Sequence, residues 1–146
     1  MSRFLLDTNI ISEFAKPAPS RLLEDWLGEQ VDDDLFISSM TLAKIQQGIL
    51  GMPAGRKRGK LEAWFSGPDG PSALFAGRVL AFDAAAALEW AKLMTTGRNS
   101  GKPRSPLDMI IAATAAANQC VVATANEKDF AGLKFINPLK AASGRG

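Results

Sequence analysis

The sequence has no histidine, no tyrosine and a single cysteine among its 146 residues. Without histidine, Ser-His-Asp and Cys-His nucleophilic catalysis, histidine-ligated zinc and histidine general bases are all excluded. One cysteine forms no internal disulfide, and Cys120, set in the apolar stretch CVVA, reads as a small buried hydrophobe in a reducing compartment. No apolar run is long enough to span a bilayer, and only Arg3 precedes the short run FLL at the N-terminus. Neither a transmembrane helix nor a signal peptide is therefore expected, which places the chain in the cytoplasm. Excess charge of either sign is also scarce, the formal net charge being +2. Carboxylates and a metal ion are the most economical means left for hydrolytic chemistry.

What is present is the pattern of one compact α/β domain. The length suits a single core, and residues 1–140 read as one domain followed by a disordered tail, AASGRG, at 141–146. RFLL (Arg3 to Leu6) is a short apolar strand ending at Asp7, and NIISEF continues as a helical turn that Pro17 and Pro19 stop. Ser20 caps a helix whose Leu22, Leu23, Trp26 and Leu27 share a face, with Gly28 near its end. Leu35 to Ser38 is a second strand, leading into a helix through SSMTLAKIQQGI. A further helix is expected around Lys60 to Phe65, broken by GPDGP. Val79 to Phe82 is a third strand, after which Asp83 caps an alanine-rich helix to about Thr96. Ser105 and Pro106 open the clearest helix of all, a cap followed by a first-turn proline. Val121 to Thr124 is a fourth strand, and KFIN supplies a fifth at the edge. Short apolar strands alternating with helices predict a mainly parallel sheet of four to five strands flanked by helices on both faces.

In such a sheet, ligands bind beyond the carboxyl ends of the strands. Asp7 directly follows the first strand, Asp108 lies in the first turn of the helix after GKPRSP, and Asn126 and Asp129 follow the fourth strand in TANEKDF. Three groups far apart in sequence thus converge on one edge, where oxygen ligands suit a hard cation such as magnesium or manganese. Each residue also has a purely structural explanation: Asp7 caps the first helix, Asp108 completes a capping box with Ser105, and Asp129 caps a turn. Lys44 is the one charged residue in its helix and projects away from the face formed by Leu42, Ile45 and Ile49, which by periodicity alone makes it a solvated lysine. The basic residues gather in GRKRGK (Arg56, Lys57, Arg58, Lys60) and GRNSGKPR (Arg98, Lys102, Arg104). Clusters of this kind in Gly/Pro-rich loops are solvated surface or phosphate-backbone contacts.

The set LLDTNIISEF, SSMTLAKIQQGI, SPLDMIIAATA and VVATANEKDF, closed by FINP, resembles the PIN-domain proteins of the VapC type, in order from Phe4 to Pro138. The resemblance implies a metal-dependent ribonuclease using Mg2+ or Mn2+, a VapB-type antitoxin as partner, and assembly as a homodimer, for which Trp26, Trp64, Phe65 and Phe75 offer apolar surface. It places Asp7 and Asp108 at metal-site positions, Asp129 at a further acidic position, and Thr8, Asn9, Thr124 and Asn126 around them. The sequence departs from the family at two points. Ala125 stands where a basic residue commonly precedes the asparagine, and Lys44 stands where the family has glutamate. That exchange alters the site charge by two units, and a unit charge at ~4 Å in an effective dielectric of ~20 is worth ~4 kcal/mol before compensation. Impaired cleavage is expected, and a catalytically inactive module that binds RNA or antitoxin is the alternative. A different α/β phosphohydrolase is disfavoured because Asn9 occupies the second position of a D-x-D motif.

Overall fold

Strand β1 (Arg3–Leu6) buries side chains on both of its faces, sending Phe4 and Leu6 into one hydrophobic cluster and Leu5 into another. Strand β4 (Cys120–Ala123) does the same, dividing Val121 and Ala123 from Cys120 and Val122. This is the signature of parallel strands covered on both sides, and the computed structural model, which describes residues 2–140, has that architecture. Strands β1, β2 (Leu35–Ser38), β3 (Val79–Leu80), β4 and β5 (Phe135–Ile136) form one sheet in the order β3-β2-β1-β4-β5. Every pairing is parallel, with Leu6 opposite Ala123 and Leu5 opposite Phe36.

One face is covered by α1 (Thr8–Phe14), α2 (Arg21–Gly28) and α3 (Ser39–Leu50), which contribute Ile10, Ile11, Leu23, Ile45 and Ile49 to the first cluster. The other is covered by α6 (Ala84–Asn99), α7 (Pro106–Ala117) and α8 (Glu127–Phe130), through residues such as Trp90, Met109, Ile111 and Phe130. Between them in sequence lie α4 (Arg56–Ser66) and the short α5 (Pro71–Leu74). Helix starts follow the local chemistry. Asp7, Ser20, Ser38, Asp83 and Ser105 each accept a hydrogen bond from a backbone N–H of the helix they open, and Pro106 occupies the first turn of α7.

Three expectations are corrected. The run Arg56 to Lys60 is not loop but the first turns of α4, because arginine and lysine are good helix formers and one internal glycine, Gly59, is tolerated. Strand β3 stops at Leu80, and Phe82 is left exposed where the chain turns toward its cap at Asp83. The aromatic residues expected to supply a dimer surface are used within the fold. Trp26 meets Phe4 edge-on at 4.9 Å, Phe75 is buried, and Trp64 and Phe65 pack against the first cluster. The apolar side chains left exposed are others, among them Phe14, Leu74, Leu88 and Leu107. The tail at 141–146 lies outside the described residues.

The layered packing carries a stability expectation. Leu5→Ala, at a fully buried position of the central strand, should lower the unfolding free energy by about 2–5 kcal/mol, whereas Leu88→Ala, 68% exposed, should stay within about 0.5 kcal/mol. Urea titration followed by circular dichroism checks both.

Candidate active site

Chain order reverses around β1, which has β2 on one side and β4 on the other, so the crevice beyond the ends of β1 and β4 is where an open parallel sheet offers a binding site. Asp7 stands there. Its backbone N–H continues the ladder to the Ala123 carbonyl at 2.9 Å, and its side chain is almost wholly buried. The two carboxylate oxygens are well satisfied. Oδ1 accepts from the Thr8 N–H at 2.8 Å, and Oδ2 accepts from the Thr124 hydroxyl at 2.8 Å and the Asn9 amide at 3.2 Å. Asn9 also donates to Thr124 Oγ1 at 3.2 Å and accepts from the Ala125 N–H at 3.0 Å, while the Asn126 N–H donates to Thr124 Oγ1 at 2.9 Å. The DTN and TAN segments, more than a hundred positions apart, are thereby fastened into one polar network. The Thr8 hydroxyl oxygen is buried and has no partner among the described residues.

Asp108 enters from the other layer. The Ser105 cap receives its backbone N–H at 3.3 Å, which points the first turn of α7 at the same edge. The Asn126 side-chain amide donates to Asp108 Oδ2 at 3.4 Å and to Asp129 Oδ2 at 2.9 Å, so one asparagine spans the two acids. Lys44 arrives from α3. Its Nζ lies 3.5 Å from Asp108 Oδ1, with the lysine side chain only 27% exposed. It is placed by the start of its own helix, where Ser38 and Thr41 are buried, their hydroxyls lie 3.1 Å apart, and Ser38 Oγ accepts from the Thr41 N–H at 3.0 Å. Lys44 is one turn beyond Thr41 and shares its side of the helix. Periodicity read from apolar residues alone missed Ser38 and Thr41. A small-hydroxyl pair at the end of a strand was the available signal.

Charge is crowded at this edge. Burial pushes the Asp108 carboxyl above its usual range; the Lys44 ammonium opposes that shift, and the charges of Asp7 and Asp129 reinforce it. Oxygen donors of this kind suit a hard divalent cation. Lys44, however, already holds a positive charge beside Asp108, Asp7 has both oxygens engaged, and among the described residues no three acidic side chains are gathered to hold a metal ion. Asp108, Asp129 and Asn126 are the oxygen donors that would hold such an ion, and the Lys44 ammonium stands beside the first of them.

The basic residues are distributed differently. Arg56, Lys57 and Lys60 are exposed on α4, which packs against α3 and α5, and Arg58 is tied to the Met52 carbonyl at 3.2 Å and to Glu62 at 3.5 Å. Arg98 and Lys102 are exposed, whereas Arg104 is half-buried and donates to backbone carbonyls of the α8 segment.

This arrangement has close parallels. The PIN domain matches residues 4–136. The VapC ribonuclease Y4jK of Sinorhizobium fredii is 40% identical, the alignment covering 94% of this chain and 99% of that protein. The toxin FitB of Neisseria gonorrhoeae is 34% identical over 92% of this chain and 96% of its own length. The crystal structure of FitAcB from the same organism superposes with a TM-score of 0.84 at 32% identity, covering 94% of this chain and 99% of that one. The chain belongs to the PIN-domain family, within the group that includes the VapC and FitB toxins.

Proposed function

We propose that this protein is the toxin of a toxin–antitoxin pair, a VapC-type ribonuclease by descent whose cleavage of RNA is weakened by Lys44. The family match supports the ribonuclease part, and the observation that carries the weakening is the 3.5 Å contact between Lys44 and Asp108, at the edge that Asn126 shares with Asp129 and links through Thr124 to Asp7. PIN-domain nucleases generally use a divalent metal. For this chain the metal would be Mg2+ or Mn2+, and the ammonium competes with it by neutralising the carboxylates without activating water. The partner in this reading is a VapB-type antitoxin. Solved relatives are toxin–antitoxin complexes, among them FitAB bound to a DNA fragment. The same contact favours a second reading, in which the chain holds RNA or antitoxin without cutting.

Labelled RNA incubated with manganese separates the two, with Asp7→Asn as the control for contaminating nuclease. Cleavage by the wild-type chain that disappears in the control supports a residual enzyme, and its absence from both supports the binding module. Lys44→Glu should raise manganese affinity at least tenfold, about 1.4 kcal/mol, and increase cleavage, while lowering the melting temperature in metal-free buffer because four like charges are then crowded together. Calorimetric titration reads the first effect independently of activity. Equal manganese affinity and equal cleavage in the two forms would sink the proposed role of Lys44.

Asp108 gives a pH dependence. Its carboxyl pKa is raised by burial, so the ionised group opposes folding: the native state binds the proton more tightly, and stability is lost as pH rises through the folded-state pKa. Asp108→Asn should therefore be more stable than wild type near neutral pH, with the advantage shrinking as pH falls through that pKa. Thermal melts across a pH series check this.

The reading also includes a homodimer, with two-fold symmetry as most small homo-oligomers have. Light scattering at micromolar concentration should give twice the chain mass, and a monomer mass would count against it.

A further inference from the structure

Arg104 belongs by sequence to the exposed basic cluster GRNSGKPR, yet its side chain is committed within the fold. Nη2 donates to the Ala131 carbonyl at 2.9 Å and Nη1 lies 3.5 Å from the Asp129 carbonyl. These oxygens sit at the carboxyl end of α8, where helix carbonyls lack intrahelical partners and a cation is favoured. The slot is kept open by two glycines. A Cβ at Gly97 would stand 2.9 Å from Arg104 Cγ and 3.0 Å from the Lys102 carbonyl. Gly132 adopts φ +83°, and a Cβ there would come within 3.3 Å of Arg104 Nη2.

The residue that follows is Ser105, whose hydroxyl receives the Asp108 N–H. One dipeptide therefore secures two acids from different elements. Ser105 sets the first turn of α7, and Arg104 holds the backbone of the segment that bears Asp129. Asn126, donating to both carboxylates, is the side chain that registers their relative position.

We infer that Arg104 is a positioning residue for the Asp108–Asn126–Asp129 edge rather than a contact to RNA phosphate. The inference rests on the reading of that edge as the functional site, whether it cuts RNA or only holds a partner. A planar guanidinium can bridge two carbonyls whereas an ammonium is a point donor, so Arg104→Lys should not restore what Arg104→Ala removes.

The test uses the intact, 15N-labelled protein and two readouts. The first is the side-chain amide resonance pair of Asn126, assigned by its loss in Asn126→Asp. Arg104→Ala and Arg104→Lys should both shift it, and Gly97→Ala, which keeps the arginine but crowds its slot, should shift it too. Amides of β1 and β2 should stay in place. The second is the salt dependence of binding to a labelled single-stranded oligoribonucleotide, where a lost phosphate contact lowers the slope of log K against log salt by about 0.7. The slope should fall in Lys102→Ala if that exposed lysine is a contact, but stay unchanged in Arg104→Ala. An unmoved Asn126 resonance, a shift spread evenly through the sheet, or a slope reduced by about 0.7 in Arg104→Ala overturns the inference. Should the oligonucleotide not bind, the Asn126 resonance alone decides. Neither readout requires cleavage, so a catalytically silent wild type would defeat the ribonuclease reading without touching this one.

Discussion

A nearly wholly buried carboxylate at the end of the central strand governs the carboxyl edge of this protein. Burying an ionised aspartate is costly unless its oxygens find donors, and Asp7 finds three, one from each of Thr8, Asn9 and Thr124. Those donors reach it only if β1 and β4 are paired in the observed register and α1 begins immediately after the strand. Satisfying one charge therefore ties together the first and fourth strands, the first helix and the loop that leads to Asn126 and Asp129. The sheet provides the hydrophobic driving force, and the Asp7 network selects which edge residues face one another.

The second constraint is electrostatic balance among groups that the first brings close. Asp108 and Asp129 share an asparagine donor, and Asp108 also has Lys44. Placing an ammonium here relieves like-charge repulsion from within the chain. A buried-edge pair of this kind is weak support for stability taken alone, since desolvation offsets much of the attraction. Its significance is chemical. In the function proposed above, a group that stabilises the acidic edge lowers the advantage any incoming cation would have.

The fold was legible because its signals are local and redundant. The RFLL strand, the Ser105-Pro106 start and the Asp83 cap appear where sequence chemistry places them, while the fourth strand, expected at Val121 to Thr124, is shifted by one residue and the helix after Asp83 runs three residues longer. The acidic edge was legible for a different reason: parallel sheets collect functional groups at strand ends, so Asp7, Asp108, Asn126 and Asp129 could be assembled without coordinates. Lys44 was readable only through the resemblance, since the apolar stripe of its helix points elsewhere and Thr41, one turn before it on the same side, is buried but polar. Arg104 shows the opposite failure. Charge clustering grouped it with Arg98 and Lys102, and nothing in composition reveals that the glycines at 97 and 132 leave space for its side chain.

The strand order has a consequence for when the edge comes into being. Asp7 and Thr124 lie 117 positions apart, and every pairing in the sheet is parallel, so none closes through a hairpin. During synthesis β1 can pair with β2 early, but its other side stays open until β4 has been made. Closing so long a loop is slow compared with forming local contacts. The amino-terminal half of the chain can therefore never display the assembled acidic edge. The edge exists only once the chain from Asp7 through Asp129 has been made and its first and fourth strands have paired.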